Sequence, residues 1–275
     1  MKQVFIIMGK EWRDGMRNRW VLATTALLAA LALTLAFLGS APTGAVKTGA
    51  LAVTIVSLSS LTIFLIPLIA LLLSYDAICG EIDRGTMALL LSYPVARWQV
   101  LLGKFFGHLA ILAFATLIGY GFAGLAVQWA GADDPGAWSA FAFMIGTSAL
   151  LGGVFVAIGY FISTLVRDRG TAGGVALGVW LFFVLLYDMA LLGGLVADQG
   201  RNVTPAVLNA LLLLNPADVY RLLNLTTSND VSGFAGVAGL GADSGLGLWA
   251  LMGALVVWMV APLAASVVLF ARRQV

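Results

Sequence analysis

Polar residues in this chain come in short islands between long apolar runs, and the islands set the boundaries of its elements. Apolar stretches cover 20–39, 51–75, 101–128, 138–166, 171–196 and 247–270. Each is close to or above the roughly 20 residues a helix needs to cross a bilayer core. The pattern therefore predicts an all-α protein with six transmembrane helices in one membrane domain, 1–275. Pro67, inside the second run, should kink its helix or leave a carbonyl free. Ahead of the first run, Val4, Phe5, Met8, Trp12 and Met16 recur at helical spacing, with Lys10, Arg13, Asp14 and Arg17 largely opposite. That is the pattern of an amphipathic helix over 1–19 lying in the membrane interface. Gly39, Ser40 and Ala41 resemble a cleavage site, but the apolar run before them is long and carries acidic residues on its N-terminal side, so it reads as a retained span.

Two islands are long. The first, Asp76 to His108, reads DAICGEIDRGTMALLLSYPVARWQVLLGKFFGH. Gly85 can relax the backbone and Thr86 can cap a short helix, MALLLS, too short to span. Glu81 and Arg84, three apart, suit a pair across a helical turn, and Pro94 suits the start of the next helix. The apolar turn Met87 to Leu91 either packs on its own bundle or awaits a partner. The second island, 197–246, contains PAVLNALLLLNPADVYRLLNL, interrupted at Asn215 and Pro216. It reads as two short amphipathic helices on the outer leaflet, followed by a glycine-rich run. Asn215, Asp218, Tyr220 and Arg221 cluster there, and Tyr and Arg are enriched where partners dock. Alternatively, Asp218 and Arg221 simply pair along the helix.

Composition agrees with a membrane protein: 61% of residues are hydrophobic and 10% charged, against about 25% charged in soluble domains, with a mean hydropathy of +1.01. Of the 15 Lys and Arg, twelve fall in the N-terminal segment, the 76–108 island, the turn at 167–169 and the C-terminus, and three in the other loops. By the positive-inside rule both termini and 76–100 are cytoplasmic, and 197–246 is the outer, periplasmic loop. The single cysteine, Cys79, excludes an internal disulfide or a cysteine metal cluster. No G-x-x-x-x-G-K-[ST] phosphate loop occurs. The surroundings implied are the lipid bilayer, with no nucleic acid.

Asp188, within VLLYDMALL, is the only acidic residue deep in a run. A carboxylate at bilayer depth costs about 2.5–3.5 kcal/mol on the insertion scale, so it should face the bundle or a wet cavity, as a gate or as a structural hydrogen-bonding group. As a proton carrier, Asp188 would make the chain a secondary transporter. His108 follows Lys104 by one helical turn, in a structural role or in handling metal or protons. The methionines could suit Cu(I), but they are scattered and fit packing better; no metal site is expected. Gly170, Gly174 and Gly178 form a small-residue stripe, as do Gly103 and Gly107, where another helix can approach, from the same chain or from a second copy.

Glu81, Gly85, Thr86, Met87, Leu89, Leu90, Leu91, Ser92, Pro94, Val95 and Arg97 match the pattern E-x-x-x-G-T-x-x-L-L-L-S-x-P-V-x-R and resemble the first cytoplasmic loop of ABC-2 type permeases. KEWRDGMRNRW, 10–20, is similar to their elbow helix. More narrowly, LIPLIALLLSYDAICGE (65–81), AGGVALGVWLFFVLLYD (172–188) and LNPADVYRLLNL (214–225) resemble the permeases of ATP-driven systems that mature nitrous oxide reductase. The resemblance implies a non-enzymatic homodimeric subunit of a bacterial inner membrane, with ATP and magnesium held by a separate cytoplasmic ATPase. It implies ATPase coupling by Glu81, Arg84 and Gly85 to Leu91, dimer packing at the 170–178 stripe, docking of a periplasmic subunit on the outer loop, and a role in copper-site assembly in denitrification. An ABC-2 exporter of lipid or drug is the nearest alternative.

Overall fold

The computed structural model describes residues 2–39, 50–129, 137–198, 203–227 and 246–273, and it is helical wherever it has regular structure. The short turns at 40–49 and 130–136 and the glycine-rich run at 231–245 fall outside the described residues. In order, the helices are α1 (Lys2–Met16), α2 (Arg19–Gly39), α3 (Ala50–Ser74), α4 (Cys79–Asp83), α5 (Thr86–Leu91) and α6 (Arg97–Trp129). They continue as α7 (Ala137–Leu165), α8 (Arg169–Leu181), a π-helical turn (Phe182–Leu186), α9 (Tyr187–Asp198), α10 (Pro205–Leu213), α11 (Pro216–Thr227) and α12 (Leu248–Arg272).

Five stretches among the described residues are long and apolar enough to cross a membrane, or up to seven if each of two bent pairs makes one crossing. One bent pair is α1 with α2, at 67°; the other is α10 with α11, at 110°. Each apolar run of the sequence is found as helix, with ends shifted by a few residues.

The core is built on α7, whose central residues 151–160 are buried without a break. Around it stand α3, α6, α11 and α12. Glycines set the closest approaches. A Cβ on Gly103 would lie 2.7 Å from Ile7 Cβ, and one on Gly107 would lie 2.5 Å from Glu11 Cβ, so this stripe receives α1 of the same chain. Hydroxyl pairs then tie the helices inside the bundle. Thr62 Oγ1 and Tyr120 OH lie 2.8 Å apart, and Ser148 Oγ and Tyr220 OH 2.9 Å apart. Such bonds contribute on the order of 0.6–2 kcal/mol each in a bilayer. Pro67 interrupts the ladder of α3 as expected, and the nearby Phe64 carbonyl accepts from Trp180 Nε1 of α8 at 3.0 Å.

The expected fifth span is one continuous helical stretch, Arg169–Asp198, that changes type midway. The π turn at Phe182–Leu186 separates α8 from α9. A π turn inserts one extra residue and leaves carbonyls without their usual partners, a feature that often marks a functional position.

Candidate functional site

Polar side chains gather at the two opposite ends of this bundle. The end that carries α1, α4, α5 and the C-terminus is the basic one.

There the chain leaves α3 and is caught at once by α7. Ser163 Oγ accepts from the amides of Ile78 (3.0 Å) and Cys79 (3.1 Å), supplying partners that the start of α4 lacks. Asp76 pairs with Arg169 at 2.8 Å. Gly85 then turns the chain at φ +71°, a left-handed conformation that suits glycine, and α5 follows. Thr86 is the first residue of α5 rather than its cap, and its hydroxyl donates to the Glu81 carbonyl at 3.2 Å. The short helix has two faces. Met87 is fully buried against the core, Leu90 and Leu91 are half-buried, and Leu89 is 69% exposed, with Tyr93 beyond it 68% exposed.

Glu81 points inward, away from any partner. Its Oε1 lies 2.7 Å from Lys104 Nζ on α6, and the same ammonium lies 2.9 Å from Glu11 Oε1 on α1. Lys104 is only 4% exposed, so one buried cation joins α1, α4 and α6. His108, a turn further along α6, approaches Glu11 Oε2 at 3.7 Å and meets Tyr160 OH of α7 through Nδ1 at 3.0 Å. The expected Glu81 to Arg84 pair is not formed, because Lys104 takes the carboxylate and Arg84 faces solvent. Of the expected ATPase contacts, Arg84, Gly85, Thr86 and Leu89 are outward, whereas Glu81 and Met87 face in.

Two arginines complete this end. Arg97, just past α5, donates through Nη1 to the carbonyls of Phe270 (3.0 Å), Ala271 and Arg273 at the last turn of α12. Arg273 in turn reaches Ser163 (3.1 Å), Thr164 (3.0 Å) and Val166 (2.8 Å) at the last turn of α7. Cations at helix C-termini satisfy orphan carbonyls and complement the helix dipole. The segment bearing α5 is thereby tied to α12 and, through it, to α7. The turn between α7 and α8 is also fixed, since Asp168 accepts from the Thr171 amide at 2.8 Å, which holds its carboxyl below the usual range.

At the opposite end, α11 does not lie on the surface as the sequence suggested, whereas α10 keeps an exposed face. α11 packs against α3, α7 and α12, and Asn215, Asp218 and Tyr220 are completely buried. Arg221 bridges two carboxylates, Asp188 at 2.8 Å and Asp218 at 2.8 Å. Asn215 Nδ2 donates to Asp218 Oδ2 (2.9 Å) and to the Phe183 carbonyl (3.0 Å) inside the π turn. The last carbonyls of α10 are taken by Tyr187, which donates to Leu211 O at 2.6 Å, and by Trp258 Nε1, which donates to Leu213 O at 3.0 Å. The docking cluster expected at Asn215, Asp218, Tyr220 and Arg221 is thus an internal latch joining α9 to α11. Asn215, Asp218 and Arg221 are taken up by one another and Asp188, and Tyr220 by Ser148, which leaves little of the cluster for direct docking. Asp188 is engaged in the same network through Arg221.

The remaining candidates are simple to place. A Cβ at Gly174 or Gly178 would meet nothing within 4 Å, and at Gly170 only Asp168 Oδ1 at 3.4 Å, so no helix among the described residues packs on that stripe. Among the described residues no group of three His, Cys, Asp or Glu side chains could hold a metal ion.

A broken, largely apolar bundle whose ends are organised in this way is a transporter subunit: the chain belongs to the ABC-2 family of transporter proteins, whose family model matches residues 5–275. Within that family it is similar to the probable ABC transporter permease protein NosY of Pseudomonas aeruginosa, 48% identical over 277 residues and covering 100% of both chains. It is also similar to the protein of that name from Stutzerimonas stutzeri, at 46% identity over 275 residues and 99% of each.

Proposed function

We propose that this chain is the membrane subunit of a NosY-like ABC transporter in a bacterial inner membrane, with both termini in the cytoplasm and α1 as an interfacial elbow. Two copies pair through the glycine stripe of α8 and are driven by a separate NosF-like ATPase that binds ATP and magnesium. A NosD-like periplasmic subunit engages the far end, and the assembly supports copper-site assembly of nitrous oxide reductase. The observation that carries this reading is the two-faced segment α4 to α5. It shows Leu89 and Tyr93 to the outside while Glu81 and Met87 bind it to the bundle.

The mechanism is mechanical. Closure of the ATPase pair pushes on the exposed face of α5. Lys104 passes the displacement to α1 and α6, and Arg97 and Arg273 pass it to the ends of α12 and α7. Both of those helices run to the far end, where they pack on α11. The latch at Arg221 positions α10, whose exposed Val207, together with Leu214 just beyond it, forms the face offered to the periplasmic subunit. A proton-coupled route through Asp188 has little support, because that carboxylate is committed to Arg221. The test is copurification: Leu89→Asp should release the ATPase while leaving the folded permease in the membrane. Normal ATPase binding and stimulation with Leu89→Asp would refute the contact.

A further inference from the structure

A cleft of about 650 Å³ opens at the basic end between the α1 and α2 elbow, the end of α3, and α4, floored by α6. Its upper wall is apolar, formed by Ile69, Leu72 and Leu73 of α3 with Val21 and Ile111, and Leu72 is 58% exposed. Its lower wall is charged, and the charges sort into pairs. Lys10 lies 3.3 Å from Asp14, and Arg169 lies 2.8 Å from Asp76. Two groups are left over. Three carboxylates, Glu11, Asp14 and Glu81, share two cations, because Lys10 also lies 3.3 Å from Glu11 while Lys104 bridges Glu11 and Glu81; one negative charge remains, and Glu81 contacts Lys104 through Oε1 alone. Arg84, exposed and on the cleft wall, has no ion-pair partner among the described residues.

The cleft is therefore neutral as a whole but polarised, with a carboxylate and a guanidinium three residues apart. Positions three apart on a helical turn lie about 5–6 Å from each other at Cβ. Side chains rooted at that spacing on one wall can meet the two opposite charges of a single small headgroup. The volume falls within the range of about 300–1,000 Å³ usual for small-molecule sites. The apolar wall continues from the charged floor along the outside of α3, as a lipid with its headgroup at the membrane surface would require.

We infer that this cleft binds the headgroup of a zwitterionic phospholipid bearing a primary ammonium, phosphatidylethanolamine being the case in point. Its phosphate sits on Arg84, its ammonium on the second oxygen of Glu81, and one acyl chain lies along Ile69, Leu72 and Leu73. A primary ammonium donates hydrogen bonds to the carboxylate, whereas a quaternary one has no N–H to give. Bidentate pairing suits guanidinium to phosphate. A lipid seated there contacts α4 directly, at the joint that ties α5 to Lys104. The inference rests on the cytoplasmic placement of this end in the proposed function.

The experiment is native mass spectrometry of the full-length permease in detergent, without the ATPase, so that failure here leaves the coupling contact to its own test. Phosphatidylethanolamine, phosphatidylcholine and phosphatidylglycerol of identical chains are titrated, with soluble phosphoethanolamine as competitor. Phosphatidylethanolamine should bind about ten-fold more tightly than either other lipid, and Arg84→Gln should weaken it about ten-fold, the loss of one charge-assisted contact. Arg17→Gln, an exposed cation away from the cleft, should change nothing, and size-exclusion profiles should match for all forms. Equal binding of the three lipids, or equal losses in the two variants, would show general surface attraction and overturn the site. Full competition by soluble phosphoethanolamine at concentrations equal to the lipid would overturn the lipid as its occupant.

Discussion

Replacing Lys104 with methionine removes the one cation between Glu11 and Glu81 while keeping most of the side-chain volume. The ammonium sits 2.7 and 2.9 Å from the two carboxylates and is 4% exposed, and the glutamates are only 14% and 11% exposed. Removing one partner of a buried ion pair costs about 3–5 kcal/mol, because the charge left behind is neither solvated nor matched. In chains of 150–250 residues each 1 kcal/mol moves Tm by about 2–4 °C, so Lys104→Met should melt roughly 6–20 °C below the parent in detergent. The same reasoning predicts rescue. Glu11→Gln and Glu81→Gln added to Lys104→Met remove the stranded Glu81 charge and the Glu11 charge left with Lys10 alone, and most of the lost Tm should return, since apolar or neutral replacement of a whole buried network is often close to neutral. Tryptophan fluorescence or a thiol-free melting assay on all the variants completes the cycle. A single variant within about 2 °C of the parent, or a triple variant worse than the single one, would refute the buried-node argument.

Leu89→Asp should leave Tm unchanged and abolish stimulation of the ATPase, whereas Met87→Asp, which places a charge in a fully buried position, should lower expression of folded protein; size-exclusion yield separates the two. Arg221→Met strands Asp188 and Asp218 together and should loosen α11, read as faster proteolysis between 203 and 227, and Asp188→Asn added to it should restore part of the protection. Gly174→Cys should form an oxidised dimer in an active transporter, because nothing of the same chain lies within 4 Å of that position and native Cys79 is buried; absence of any crosslink would remove the α8 stripe from the dimer interface. Asp168 carries a folded-state carboxyl held below its ordinary range by the Thr171 amide. Its cap should therefore stabilise α8 above the ordinary carboxylate range and be lost as pH falls through the lowered value; amide exchange at the start of α8, followed against pH, should show this in the parent and not in Asp168→Ala.

Hydropathy alone located nearly every long helix, because a membrane span is a one-dimensional feature: the run at 51–75 becomes Ala50–Ser74 and the run at 138–166 becomes Ala137–Leu165. The same measure hid the change of helix type within the fifth span, since FFVLL is as apolar as its flanks and a π turn leaves no compositional mark. The polar sites failed for a different reason. Glu81 looked like a partner for Arg84 at helical spacing, but its true partner, Lys104, pairs also with Glu11, 93 positions away from it. Local pairing rules carry no information on such contacts. α11 was misplaced on the membrane surface because its sequence is half polar. Asn215, Asp218 and Arg221 in fact satisfy one another and Asp188, so the cost of burying them is met inside the bundle. A signal was available in retrospect: a lone carboxylate in the fifth span and an arginine within the apolar segment of the following loop are complementary.

The central claim is that motion imposed at α5 reaches the α10 and α11 end through the Lys104 node and the arginine-capped ends of α12 and α7. It is tested most directly by spin labels at Val207 on α10 and Trp249 at the start of α12, both exposed, in the assembled transporter with and without ATP. The account predicts a nucleotide-dependent change in the distance distribution that is lost in Glu81→Gln although the ATPase stays bound and hydrolyses ATP. An unchanged distribution in the parent, or the same shift in Glu81→Gln, would contradict it.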